Sequence, residues 1–410
     1  MRSVKVLLAA GLVAGAGMLS AAVAFAASQP AATAGPTGKL LATLKDPAAS
    51  RVGAFGVSVA VSGATAVVGS FATNGTEAAV GTAYIYAESG NRWQAAPAAV
   101  LHDPPGAGGD KFGISVAVSG GTVVVGASGT RHGSGAAYVY TKGTAGWPTT
   151  PTATLNDPAS TRRVSDGFGI SVAVSGGTVV VGASGTRHGS GAAYIYTRGT
   201  AGWPATPAVR LNDPPAARGG SFGYSTAVSG STVVVGAPGT SAKPGAAFIY
   251  AEGTAGWPTA PTVSLPGPAR VNGDGFGYSV AVSGGTAVIG AANVSNDTGH
   301  AYIYTEGTAG WPVARTITLN DPASATGDLF GSSVAVSGGR AVVGALGSSA
   351  AGNAYVYAIS TAGWPAAPTT VLRHPARTAT FGYATAADGT TALVGEPNVA
   401  AGPGAALYQV

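Results

Sequence analysis

Phe112-Gly-Ile-Ser-Val-Ala-Val-Ser-Gly-Gly-Thr-Val-Val-Val-Gly126-Ala127 is one copy of a stretch that the chain repeats seven times. Phe-Gly pairs open at Phe55, Phe112, Phe168, Phe222, Phe276, Phe330 and Phe381. Fourteen residues after each Phe stands a Gly: Gly69, Gly126, Gly182, Gly236, Gly290, Gly344 and Gly395. The inner spacing is constant, while the distance between successive Phe residues falls from 57 to 51 along the chain. A fixed inner spacing marks a rigid unit, and a drifting outer spacing marks loops that vary without disturbing it.

Within the second copy, Ser115-Val116-Ala117-Val118-Ser119 alternates small polar with apolar residues, the period of a strand. Gly120-Gly121 joins it to Thr122–Val125, an apolar return strand of the kind buried on both faces, through a tight hairpin that needs positive φ. After a variable loop, Gly135 to Tyr140 forms a third strand with tyrosines two apart. Trp147-Pro148 follows a polar turn, and Thr152 to Leu155 makes a short fourth strand closed by Asn156-Asp157-Pro158. Four antiparallel strands repeated seven times predict an all-β, seven-bladed β-propeller of four-stranded antiparallel blades.

The chain ends predict closure. The last copy stops at Leu407-Tyr408-Gln409-Val410, level with a third strand, and lacks a fourth. Leu41-Ala42-Thr43-Leu44-Lys45-Asp46-Pro47 precedes the first Phe-Gly and matches Thr152 to Pro158, a fourth strand without its blade. Pairing of Leu41–Leu44 beside Ala405–Gln409 would shut the ring and remove its exposed edges.

Composition narrows the function. The 410 residues include 66 Gly and no Cys, and 9% are charged. Disulfides, a thiolate nucleophile and Cys-ligated zinc are excluded. Arg2 and Lys5, the apolar run Val6–Val23 and Ala24-Phe25-Ala26 read as a secretion signal over residues 1–26, with a flexible leader at 27–37 and the propeller at 38–410. Without Arg2 and Lys5 the chain carries 19 basic and 16 acidic residues, dispersed along its length, which argues against nucleic acid. No second apolar run of membrane length follows. The expected protein is a secreted, extracellular monomer, either released or associated with the cell surface.

Phe-Gly at the head and Gly236-Ala237-Pro238 at the end of the second strand resemble the FG-GAP motif, with Ala127-Ser128, Ala183-Ser184 and Glu396-Pro397 among its relaxed versions. Residues 38–410 resemble secreted bacterial FG-GAP repeat proteins, whose fold is the propeller at the head of integrin α subunits. The resemblance implies a propeller and leaves activity open. One departure concerns calcium. The integrin-type repeat often expands the first hairpin into an Asp/Asn-rich calcium loop, whereas here it holds two residues, too few to surround a cation that takes six or more oxygens. No cofactor and no metal is therefore expected.

The repeated Phe and Gly, and the Trp of the Ala-Gly-Trp-Pro turns, read as blade packing, with Trp93 in a different context. Asp110, Asp166, Asp274 and Asp328, two residues before Phe, and the Asp-Pro pairs read as turn chemistry. No catalytic constellation stands out. The first strand runs away from Phe-Gly and the second returns, so the variable loops share one face, and function tends to sit on such loops. The candidate binding residues on this face are Arg131, His132, Arg162, Arg163, Arg187, His188, Arg218, Lys243 and Arg270. The expected function is non-catalytic, adhesion-type recognition of an extracellular protein or glycan. The alternative is an extracellular propeller enzyme of glycan hydrolase or lyase type.

Overall fold

The computed structural model describes residues 36–47, 54–71, 81–104, 109–130, 133–158, 166–185, 190–215, 220–267, 273–293, 297–323, 326–347, 351–376, 378, 380–397 and 403–410. The proposed signal and all of the leader up to residue 35 lie outside them.

Seven antiparallel sheets follow one another around a ring. Blade 2 shows the plan: Phe112–Ser119, Thr122–Ala127, Ala136–Thr141 and Ala153–Asn156, each strand pairing with the next. The first strands of neighbouring blades touch in sequence, and the first strand of blade 7, Ala384–Asp388, touches that of blade 1, Ser58–Ser62, so the circle is complete. The fold is the expected seven-bladed β-propeller.

Closure uses the strand pairing expected from the sequence. Lys39–Lys45 lies antiparallel to Pro403–Gln409 and becomes the outer strand of blade 7, with Thr43 opposite Ala406 and Leu44 opposite Ala405. Leu44 is fully buried among Phe55, Val59, Leu393 and Leu407. Before this strand the chain is already held: Val371 N–H donates to the Pro36 carbonyl at 3.1 Å, and Thr37 bridges Val371 on the outer strand of blade 6. The end of the stretch expected to be a flexible leader is thus tied to the ring.

The Phe-Gly pair is a blade-to-blade joint. Six of the seven Phe side chains are fully buried and the seventh, Phe55, is nearly so, and Phe112 packs between residues of blade 1 and blade 2. Each also meets an aromatic ring on the third strand of its own blade, as Phe112 meets Tyr138 at 5.7 Å and Phe168 meets Tyr194 at 5.4 Å. Burial of such a side chain is worth about 1.5–3 kcal/mol, and the aromatic pair adds about 1 kcal/mol. Gly126 is required because a Cβ there would overlap the Gly169 carbonyl of the next blade. The same overlap with the next Phe-Gly recurs at the six other positions of this type.

The Ser-Val-Ala-Val-Ser pattern has a second meaning in three dimensions. Its first Ser donates across the joint: Ser58 Oγ to Gly113 O at 2.8 Å, Ser115 to Gly169 at 2.8 Å, and likewise Ser171, Ser225, Ser279 and Ser333. Its last Ser accepts from the next hairpin, as Ser62 Oγ accepts from Gly120 N–H at 3.2 Å and Ser119 from Gly176 N–H at 3.1 Å. Two belts of hydrogen bonds therefore run around the inner ring. Blade 7 departs from both: Ala384 replaces the first Ser, and Asp388 replaces the last and accepts from Gly63 N–H.

Blade 6 apart, where Gly338 and Gly339 both have positive φ, only the first residue of each hairpin does, as at Gly120 (53°) and Gly230 (54°). That is the demand of a II′ hairpin, which needs Gly first and admits other residues second. It explains Ala64, Ser231 and Thr390 at the second place. All six Trp residues pack against the blades, one in each of six inter-blade clusters. Trp93, in its different sequence context, occupies the same place from an extra short strand, Arg92–Trp93, that pairs with Glu88 and Ser89.

Candidate functional site at the propeller axis

Strand direction puts the variable loops and the Phe-Gly ends on one face. Of the nine candidate loop residues, Arg131, His132, Arg162, Arg163, Arg187, His188, Arg218 and Arg270 lie outside the described residues. Lys243 is described. It is exposed on a tight turn closed by two backbone bonds with Thr240, Thr240 N–H to Lys243 O at 3.0 Å and Lys243 N–H to Thr240 O at 2.9 Å. The roots of one loop are also visible: Thr130 and Ser134 are buried on either side of Arg131 and His132, and Gly135 N–H donates to Thr130 O at 2.8 Å.

At the centre of this face the structure gathers residues that the sequence reading did not select. The residue two after each Phe begins the innermost strand at its loop-face end. Around the ring these are Val57, Ile114, Ile170, Tyr224, Tyr278, Ser332 and Tyr383. Tyr224 and Tyr278 pack with centroids 5.1 Å apart and planes tilted by 46°, and their hydroxyls hydrogen-bond to each other. Burial raises the pKa of all three tyrosines, and the neighbouring phenols add to this for Tyr224 and Tyr383. The Tyr383 phenol adds to the rise at Tyr224 although blades 7 and 4 share no edge. The Ser332 hydroxyl is buried with no hydrogen-bond partner. The axis is thus ringed by an aliphatic arc on blades 1 to 3 and a hydroxyl-bearing, mainly aromatic arc on blades 4 to 7. None of the seven side chains is ionisable near neutral pH, and all but Val57 are partly exposed.

The buried acidic residues sit elsewhere, in the joints between blades. Asp157, from an Asp-Pro pair, accepts the Tyr194 hydroxyl at 3.1 Å and is hydrogen-bonded to Asp166, the residue two before Phe168. Burial, then that bond and the Asp157 charge, push Asp166 up to about 7 against the opposing pull of Arg210. Asp274 keeps the expected turn role, accepting from Gly245 N–H and Phe276 N–H, both at 3.0 Å. The joint of blades 6 and 7 is different. Glu396 is completely buried, accepts the Thr378 hydroxyl, and lies 3.5 Å from His374 Nδ1. That nitrogen already accepts from Ala376 N–H at 3.2 Å, so the imidazole is neutral. Burial lowers the His374 pKa and raises Glu396 to about 7.

An open groove of about 500 Å³ on the rim, at the joint of blades 4 and 5, is lined by Pro266, Tyr304, Val313, Arg315 and Ile317. Its arginine is committed, with Nε donating to Thr318 Oγ1 at 2.6 Å and the guanidinium over Tyr302 at 5.8 Å. Among the described residues no group of three or more His, Cys, Asp or Glu comes together as metal ligands, and no helix is long and apolar enough to cross a membrane.

The family model of the FG-GAP repeat matches residues 38–86, 98–140, 158–196, 208–250, 270–304 and 311–357, more than half of the chain. Most of these matches begin with or just before the outer strand of one blade, and all end in the third strand of the next, so the sequence repeat is out of step with the blade. The three inner strands of the last blade, which departs from the Ser belts and carries Glu396, fall outside them, while its outer strand Lys39–Lys45 lies in the first match. No match to a curated protein was found.

Proposed function

The chain belongs to the FG-GAP repeat family, and from that premise we propose that it is a non-catalytic recognition propeller, secreted and monomeric, that binds an extracellular protein or glycan through its loop face. FG-GAP repeats are typical of extracellular proteins. The observation that supports the reading is the axial ring. At the centre of the loop face, where a propeller enzyme would gather acids and bases, this chain places Val57, Ile114, Ile170, Ser332 and three tyrosines with raised pKa values. Hydrolysis or elimination needs a group that gives or takes a proton near neutral pH, and none of these does. The described carboxylates with strongly raised values, Asp166 and Glu396, are sealed in blade joints, where a substrate does not reach. Recognition without a metal is part of the proposal, as is the absence of any nucleic-acid partner.

A binding screen tests it. The purified protein is presented to a glycan array, to isolated cell walls and to extracellular proteins, each with and without EDTA. Saturable binding that EDTA leaves unchanged is the expected result. Turnover of a glycan, with shortened or unsaturated products released, would overturn the non-catalytic reading. Binding abolished by EDTA would overturn the metal-free one.

A further inference from the structure

We propose that the axial ring, with Tyr224, Tyr278 and Tyr383 facing Val57, Ile114 and Ile170, receives the uncharged end of a saccharide chain. This inference rests on the recognition reading above and adds a site and a ligand class to it.

Three features of the ring select the ligand. The first is charge. A charged group brought to an axis walled by seven blades would lose hydration without meeting an opposite charge, which is strongly unfavourable. None of the seven side chains supplies one, so the ligand that fits is neutral. The second is the division of the wall into aliphatic and aromatic arcs. A pyranose ring has an apolar face of C–H groups and an edge of hydroxyls. The first matches phenol faces and aliphatic side chains, and the second matches phenol hydroxyls, each of which both donates and accepts. A purely apolar ligand would cover the phenol hydroxyls without pairing their remaining donor and acceptor capacity, which is unfavourable. The third is readiness. Tyr224 and Tyr278 are fixed to each other by ring contact and by a hydroxyl–hydroxyl bond, and Tyr carries little rotamer freedom to lose. The innermost strands surround the axis, so a chain enters end-on, and the site reads a terminal sugar.

Calorimetry of the full chain with oligosaccharides ending in glucose, galactose, mannose or N-acetylglucosamine, and with uronate- and sialate-ended controls, tests the proposal. The variants are Tyr278→Ala, Tyr383→Ala, Tyr278→Phe and, as a control on the opposite, hairpin face, Arg198→Ala. The expected result is saturable binding of at least one neutral-ended chain. Tyr278→Ala and Tyr383→Ala should each weaken it at least tenfold, Tyr278→Phe about threefold because the ring contact survives, and Arg198→Ala not at all. Should an alanine variant fail to fold, Tyr278→Phe and Tyr383→Phe together carry the test, with an expected loss of about tenfold. Neutral saccharide bound equally well by folded axial variants would overturn the axial site while leaving recognition by the propeller standing. Binding confined to uronate or sialate ends would overturn it in favour of the charged loops. Binding of an extracellular protein with no saccharide binding would overturn it and keep the broader reading. Turnover of the saccharides would sink that broader reading instead.

Discussion

Gly126 and Gly121 are five residues apart, and the structure gives them opposite tolerances. A Cβ on Gly126 would enter the space of the Gly169 carbonyl and of Ser115 Oγ, and the carbonyl belongs to the backbone of another blade, which cannot move alone. A Cβ on Gly121 would meet only the Lys142 Cβ, at 3.7 Å, and the equivalent residue of blade 1 is already Ala64. Gly126→Ala is therefore expected to cost about 3 kcal/mol, the upper part of the range for overpacking. Gly121→Ala is expected to fall within about 0.5 kcal/mol of the parent, as surface substitutions do. Urea unfolding midpoints of the two variants check this, and equal midpoints would remove the blade-contact account of the conserved inner spacing of fourteen. Ala384 offers the converse test. It stands where Ser donates across six other joints, so Ala384→Ser should restore a bond to the Gly56 carbonyl and stabilise by about 1 kcal/mol.

At the scale of the element, the strand Lys39–Lys45 carries the closure. It covers the edge of Pro403–Gln409, which would otherwise present unpaired backbone groups to other molecules. Leu44→Ala removes a side chain buried in the last joint and should cost about 2–5 kcal/mol. Deletion through Lys45 should go further and convert the protein to oligomers or aggregates through the freed edge, seen as a shift in light scattering after size exclusion. A stable monomer of the deleted chain would mean the ring holds without the strand. This closure was legible in the sequence because both halves of the split blade could be aligned to an intact copy. So were the hairpins, since Gly supplies their positive φ, and the Phe joints. The axial ring was visible only as the triplets Phe222-Gly-Tyr224, Phe276-Gly-Tyr278 and Phe381-Gly-Tyr383. Nothing local says that tyrosines about 50 and 100 residues apart in the chain meet on an axis. Asp157 and Asp166 were likewise legible as turn formers, while their pairing arises in the joint between two blades. That Trp93 shares the place of the other five was not legible, because its turn, Glu88 to Arg92, lacks their Ala-Gly pair.

Across the whole molecule, buried acids couple the joints to pH. Glu396 has no exposed surface and faces Thr378, the neutral His374 and, through its influence on the phenol, Tyr408. Its pKa rises from an ordinary carboxylate value to about 7, because burial penalises the charged form. The folded protein therefore holds a proton that the unfolded chain has already released between about pH 4.5 and 7. A group raised in this way contributes its full stability below the unfolded value and loses it as pH climbs through the folded one. At pH 8 Glu396 must ionise inside the joint or the joint must open, and the loss is on the order of 3 kcal/mol. Asp166, also raised to about 7, works in the same direction at the joint of blades 2 and 3. The parent protein should thus melt at a higher temperature at pH 5 than at pH 8 by more than its surface charges explain. Glu396→Gln keeps the shape of the side chain and a carbonyl oxygen for the Thr378 hydroxyl while removing the titration. It should leave melting at pH 5 nearly unchanged, raise it at pH 8, and flatten the slope between. A melting curve for Glu396→Gln that keeps the parent's slope would assign the pH dependence to other groups and leave Glu396 as an ordinary buried spacer in the seventh blade.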